Sequence, residues 1–600
     1  MKYREGIRFI CALFMIVLLS QYGISTIRFK NVTDEYQLAG RDFYGGHGAS
    51  WVDVNGDGLL DLYVKNVGGL IYHIPNLLYI NYGTYFINEA KIRGVEDRYG
   101  MGTHGAVFAD LDNDGDYDLF STTTYGHSIS RNHIYENDGS GYFTDITSGI
   151  TPKQTDDTES RGVAAADFDA DGYIDLYFSN PNNNTDPWNP DPFPPVNYKN
   201  FYMNNGNGTF SNEYRGIPWI GFVQGVTAMD FDGDGDIDIA EGKWTPPSTI
   251  YLNDGMGNFL DSGATLGLPQ TLGVFDGGFT FGDLDNDGDL DMTICGGVGR
   301  VAVYKNTGGT FSIFQTVYLP GDGGAHVCLG DFDHDGDLDM YVSGFDVYTN
   351  NGNGLFSLVP DSQSHARIPE ENVDPRGCAL GDFDNDGDLD IYITDKRYFN
   401  VFLRNELNDS NWIQVEVSDH MKAIGGFGTK LDLYLAGHVG EAAYRRGHRE
   451  IHGEYGYLGQ DMPIAHFGAP SSEQYDLRIT FFDGLQKDIT GITSGQRLTV
   501  GYPFLYSPLN FSGYRELNKA LFYWESIIFL TWESNPQNEE IEHFRLYRVE
   551  NEVLTLLKEL DASTLSYSIR GADRNTTYHF ALTEVDIRGR ESDPVYLTVE

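Results

Sequence analysis

Seven copies of one acidic nonapeptide, a near-regular spacing between them and a composition rich in glycine and aromatic residues predict an all-β chain. Its main body is expected to be a β-propeller of four-stranded blades, with two smaller β-domains after it. At 600 residues the chain is too long for one hydrophobic core, so several domains are expected. Its 72 Gly, 39 Tyr and 37 Phe suit short strands and tight turns better than long helices.

The repeat D-x-[DN]-x-D-G-x-x-D occurs at residues 53–61, 110–118, 167–175, 230–238, 283–291, 331–339 and 382–390, with starts 57, 57, 63, 53, 48 and 51 residues apart. Calcium takes six to eight oxygen ligands, and carboxylates at alternate positions of a turning loop converge on one point. Positions 1, 3, 5 and 9, with the carbonyl of position 7, are the expected donors, giving about seven Ca²⁺ sites. The side chains are Asp53, Asn55, Asp57 and Asp61 in the first loop, then Asp110, Asp112, Asp114 and Asp118, and Asp167, Asp169, Asp171 and Asp175. The fourth and fifth loops supply Asp230, Asp232, Asp234 and Asp238, then Asp283, Asp285, Asp287 and Asp291. The last two supply Asp331, Asp333, Asp335 and Asp339, then Asp382, Asp384, Asp386 and Asp390. Glycine at position 6 permits the reversal. Zinc would want nitrogen or sulfur, which the loops lack, and His334 at position 4 is expected to point outward.

An EF-hand would place Glu at position 12 between helices. Here position 12 is Val64, Ser121, Phe178, Ile294, Val342 or Ile393, with Glu241 the exception, and the flanks read as strands. A small-residue strand such as GAVFAD precedes each loop, a second strand follows, and segments such as IYENDGSGYFTDI (134–146) supply a third strand and hairpin. Four strands at a period near fifty residues make a propeller blade.

These motifs resemble the FG-GAP, or VCBS, repeats of integrin-α-like propellers over about residues 29–405. The resemblance implies a seven-bladed ring with calcium in the turn between the first two strands of each blade. The last repeat lacks a fourth strand, and FKNVTDE (29–35) matches FTDITSG (143–149). Residues 27–33 are therefore predicted to form the outer strand of the last blade.

From Asn411 the pattern changes. Ile424-Gly425, Gly456 to Gln460, His466 to Gly468 and Asp483-Gly484 resemble the ASPIC and UnbV domain, with Phe481-Phe482 where that family has Trp-Pro. Such a domain beside FG-GAP repeats is the arrangement of the cartilage acidic protein family and its bacterial relatives, which implies secretion. Residues 503–600 resemble a fibronectin type III sandwich, with Trp532 and Tyr578 as core aromatics. The expected boundaries are a signal peptide at 1–26, the propeller at 27–408, the ASPIC/UnbV-like domain at 409–502 and the sandwich at 503–600.

Lys2, Arg4 and Arg8 ahead of the apolar run Phe9 to Leu19 read as an export signal; the run is too short to span a bilayer, which favours cleavage, while the missing A-x-A pattern leaves retention as an anchor open. A secreted or cell-surface monomer with no membrane span is expected. The formal charge of -48 makes nucleic acid an unlikely partner, while 40% hydrophobic residues argue against disorder. Cys295, Cys328 and Cys378 lie in apolar strand contexts that favour buried free thiols, and a bridge from Cys328 to Cys378 between neighbouring blades stays open.

Each first strand should line the channel and end at its loop, which puts its starting residue at the opposite mouth. His47, His104, Arg161, Gln224 and Arg376 stand six residues before their loops, and His326 one place off register. This polar ring suits an extracellular carbohydrate or protein ligand. Trp188 in the Pro- and Asn-rich insertion 180–200 is a further contact candidate. No catalytic motif is present, so no catalytic residue is assigned and recognition is expected. A polysaccharide lyase or hydrolase using the mouth His and Arg residues is the alternative.

Overall fold

A computed structural model describes residues 27–40, 46–67, 74–96, 103–123, 132–150, 160–179, 199–218, 223–243, 248–268, 276–296, 299–319, 326–369, 374–418, 426–453, 459–502, 508–520, 523–535, 538, 541–550, 553–573, 575–586, 592 and 594–599. The expected signal segment and Trp188 lie outside the described residues. The chain divides into two compact units, Met1–Gly501 and Tyr502–Glu600. No helix among the described residues is long and apolar enough to cross a membrane.

The fold is all-β. Each acidic loop joins the antiparallel first and second strands of a separate sheet; six of the seven sheets take four strands from their own repeat, the first adding Gly459–Gln460 as a fifth, and the last takes three from its own repeat and one from residues 29–31. The first strands are Gly46–Val52, Thr103–Ala109, Val163–Ala166, Val223–Met229, Asp276–Gly282, Val327–Gly330 and Pro375–Gly381. Each lies against the first strand of the next sheet, and Pro375–Gly381 lies against Gly46–Val52. Small residues at these positions let the sheets approach. Gly381, for example, leaves room for the Trp51 ring, whose Nε1–H donates to the Ala379 carbonyl at 3.3 Å.

Phe29–Asn31 pairs with Val401–Asn405 in the register Phe29 to Asn405, and supplies the fourth strand of the last sheet as the sequence predicts. Phe29 is buried and meets Phe332 edge-on at 5.6 Å.

An asparagine ends the third strand of each of these seven sheets or, in the sixth, directly follows it. Its amide donates to the carbonyl of loop position 2 in the preceding repeat: Asn137 to Val54, Asn204 to Leu111, Asn253 to Phe168, Asn306 to Phe231, Asn350 to Leu284 and Asn405 to Phe332. Asn81 of the first repeat donates to Phe383 of the last, at 2.9 Å. Buried carbonyls between sheets would otherwise lack donors, so these contacts both satisfy polar groups and fix sheet spacing.

Cys328 and Cys378 form a disulfide between the first strands of neighbouring sheets, which corrects the expectation of free thiols, whereas Cys295 is free and buried. Both sulfurs lie on adjacent strands that the repeat packs together, so oxidation needs no rearrangement. With a sequence separation of 50, chain-entropy reasoning gives about 2–4 kcal/mol of stabilisation. Replacing both by serine should lower the unfolding free energy by that amount in a urea titration.

Residues 409–502 form a three-stranded sheet (Trp412–Ser418, Ile464–Gly468, Gln496–Gly501) and a four-stranded one (Lys430–Leu435, Arg445–Glu450, Tyr475–Thr480, Gln486–Ile492). The second unit has sheets of three and four strands around Trp532, Phe544 and Phe580. Trp532 is buried as expected. Tyr578 is half-buried and packs against that core from its margin, its hydroxyl accepting the Asp573 N–H at 3.0 Å.

Candidate functional site

Each acidic loop is shaped by its own carboxylates. In the second, Asp110 accepts the N–H groups of Asp114 and Gly115, both at 3.1 Å, and Asp112 accepts Asp114 N–H at 3.2 Å. Asp118 closes the loop, taking Leu111 N–H at 3.1 Å and, from the third strand, Asn137 N–H at 2.9 Å. The turn needs left-handed backbone at positions 4 and 6, where Asn113 has φ 61° and Gly115 φ 95°. Ala170 and His334 adopt the same conformation at position 4, with φ 58° and 59°, although their side chains disfavour it.

The result is convergence. Carboxylate oxygens of Asp110, Asp112 and Asp118 lie within 4.8 Å of one another, as do those of Asp167, Asp169 and Asp175, of Asp230, Asp232 and Asp234, and of Asp283, Asp285 and Asp291. Burial pushes Asp61 up to about 8, Asp118 to about 9 and Asp291 to about 8. Carboxylates buried together without a cation are costly as anions. The donor set is all oxygen, which fits a hard divalent ion of calcium's size. Lys305 reaches Asp285 at 2.6 Å and Lys430 pairs with Asp230, so in two loops an ammonium already sits against one carboxylate. His326, Cys328 and Cys378 also cluster, but the disulfide consumes both thiols.

Residues 409–502 meet several of the acidic loops. Gln414 donates to Asp382 at 2.8 Å, Lys430 pairs with Asp230, and Arg445 donates to the Asp287 carbonyl. His334 does not point outward. It is buried, with Nδ1 2.9 Å from Asp409 and its ring against His466, because this domain covers its loop.

A segment of the same domain enters between the first strands. Gly459–Gln460 pairs in parallel with Gly46–Val52, and the Gln460 amide bonds both backbone groups of Phe108, at 3.0 and 2.9 Å. Asp461 accepts Leu380 N–H at 2.7 Å, and Met462 N–H donates to the Leu380 carbonyl at 2.9 Å. Behind this plug lies a cavity of about 110 Å³ lined by Leu329, Leu380, Leu389 and Met462. The role of Gln460 and of the third-strand asparagines escaped sequence reasoning. The G-Y-L-x-Q match and an Asn 11 to 29 residues after each position-9 Asp were the available signals.

At the opposite strand ends the predicted polar residues come together in pairs from neighbouring sheets. The His47 and His104 rings are 4.6 Å apart, and Arg161 Nη1 donates to Gln224 Oε1 at 3.2 Å. Arg376 pairs with Asp374 at 2.9 Å, and His326 is buried. Register shifts fall at Gly46/Gly48, Thr103/Ala106, Val223/Gly225 and Pro375/Cys378, so His47, His104, Gln224 and Arg376 all stand on β-bulges. Burial first, then Lys396, Arg376 and Arg161, hold His47 well below its ordinary range; His104 is held down by burial, then Arg161 and His47.

A family model described as an FG-GAP-like repeat matches residues 110–178, 283–342 and 343–393, and one described as ASPIC and UnbV matches residues 423–503. Cartilage acidic protein 1 of Mus musculus is 25% identical over 58% of this chain and 46% of its own length. The Xenopus tropicalis protein of that name is 24% identical over 73% of this chain and 61% of its own. The chain thus spans about half the length of the curated relatives it matches. A solved structure titled "Structure of FN3tt mut" is 22% identical over 16% of this chain and 90% of its own, at a TM-score of 0.12. The chain therefore carries FG-GAP-like repeats joined to an ASPIC and UnbV domain, and is related to cartilage acidic protein 1.

Proposed function

We propose that the chain is a secreted, calcium-loaded recognition or scaffold protein, built on a seven-bladed propeller that presents one mouth to a carbohydrate or protein ligand. The observation that carries this reading is the convergence of buried carboxylates in the repeated loops. Ring closure is supported by the first-strand neighbours and by the asparagine contact from Asn81 back to Phe383. Secretion is supported by the N-terminal signal pattern and by a disulfide, which persists in oxidising compartments. We also assign a fibronectin type III-like role to the second unit, on its three-plus-four strand arrangement and the bond from Asp573 N–H to the Tyr578 hydroxyl.

Recognition is favoured over turnover because the loop carboxylates are committed to shaping their own turns and no nucleophile and base pair stands out among the described residues. Calorimetric titration of metal-free chain with calcium is expected to show several sites of about 10⁻⁴ to 10⁻³ M, the range of extracellular modules. No heat of binding at millimolar calcium would refute the reading. Release of product from an acidic polysaccharide would favour the enzymatic alternative.

A further inference from the structure

We propose that His47, His104, Arg161, Gln224 and Arg376, with Lys396 at the rim, bind a hydroxylated carboxylate such as a uronic acid residue of a saccharide. The inference rests on the recognition reading above and gives it a ligand class.

Charge is the first reason. The chain carries a formal -48, yet cationic side chains gather at this mouth. Arg161, Arg376 and Lys396 are close enough for Arg161 and Arg376 to depress the basicity of Lys396, after its partial desolvation at the rim. Asp374 partners Arg376 and Arg397, and offsets only part of this charge. Mutually repelling cations held together in a protein rich in acids point to an anionic occupant.

Geometry is the second. Four of the five strand-start residues stand on β-bulges at equivalent places in four sheets, and a bulge gives up ladder hydrogen bonds to re-aim a side chain. The freed backbone is repaired locally: Thr122 accepts the Gly105 N–H at 2.9 Å and Thr394 accepts the Gly377 N–H at 3.0 Å. The repair keeps the bulges at His104 and Arg376 without drawing on either side chain.

Unused hydrogen-bonding capacity is the third. His47 is 3% exposed and neither of its ring nitrogens has a hydrogen-bond partner, and His104, 1% exposed, has none at Nδ1. Buried imidazole nitrogens without partners are costly unless a ligand completes them. Neutral imidazoles donate to and accept from hydroxyl groups, whereas the guanidinium of Arg376 suits a carboxylate. Exposure grades inward from Lys396, in solvent, through the partly buried Arg376 to the buried Arg161 and His104. A small ligand meets charge first and the imidazoles last.

The test is calorimetric titration of the full chain in millimolar calcium with glucuronate, glucose and inorganic sulfate. Glucuronate should bind, glucose should not, and sulfate should bind at least roughly tenfold more weakly for lack of hydroxyls to the imidazoles. Arg376→Gln, at the partly exposed rim, and His104→Asn should each weaken glucuronate roughly tenfold while calcium uptake and the melting midpoint stay close to the parent's. Glucuronate failing to bind a chain that takes up calcium, sulfate matching it, or Arg376→Gln binding like the parent would overturn the site. A chain that takes up no calcium would instead remove the reading on which it rests.

Discussion

Chelation of divalent cations should lower the thermal midpoint of the first unit by on the order of 10 °C. At 1 mM free calcium, a site of 10⁻⁴ to 10⁻³ M contributes about 0.4–1.4 kcal/mol. About seven such sites contribute roughly 3–10 kcal/mol, comparable with the whole stability of an ordinary domain. The loss should also change how stability depends on pH. Without metal, burial raises Asp61 and Asp291 to about 8 and Asp118 to about 9, above their unfolded values. The protonated folded form is then favoured at low pH, and that contribution fades as pH rises through 8 to 9. In chelator the midpoint should therefore fall from pH 5 to pH 9, and in excess calcium it should stay nearly level. Scanning calorimetry in the two buffers checks this; parallel curves would count against metal in the loops.

Phe29→Ala should cost about 3–5 kcal/mol, as a substitution in the middle of the seven sheets would. Chain ends ordinarily tolerate change, because little is packed on them. Here Phe29 is 1% exposed, touches Phe332, and belongs to the strand that completes the last sheet. Urea denaturation measures the difference, and a loss under about 1 kcal/mol would show that the terminal strand is dispensable.

The loops and the terminal strand were legible because both are local patterns: nine residues that recur, and a fourth strand missing at one end and spare at the other. Asp118 and its equivalents could be read as ligands, but not as the residues that tie loop to third strand. The asparagine contacts were partly visible as hairpin residues, and their reach into the preceding repeat needs the sheets packed side by side. Gln460 lies 352 residues from Phe108, a separation at which no period in the sequence reports contact. His334 was misread for the same reason: its loop obeys the repeat, but a domain outside the repeat covers it. The repeat placed Cys328 and Cys378 on neighbouring blades and left their bridge open, while their apolar context favoured free thiols, because hydropathy does not report the oxidation state of a buried sulfur.

The Phe402 N–H donates to Thr33 Oγ1 across 369 residues of chain, at 2.8 Å. At ribosomal speeds of about 5–20 residues per second, roughly 20–70 s pass between making the first group and making the second. Throughout that interval the strand Phe29–Asn31 has no mate, because Val401–Asn405 does not yet exist. Whatever escorts the polypeptide out of the ribosome must therefore keep Phe29–Asn31 from pairing with strangers until Val401–Asn405 arrives.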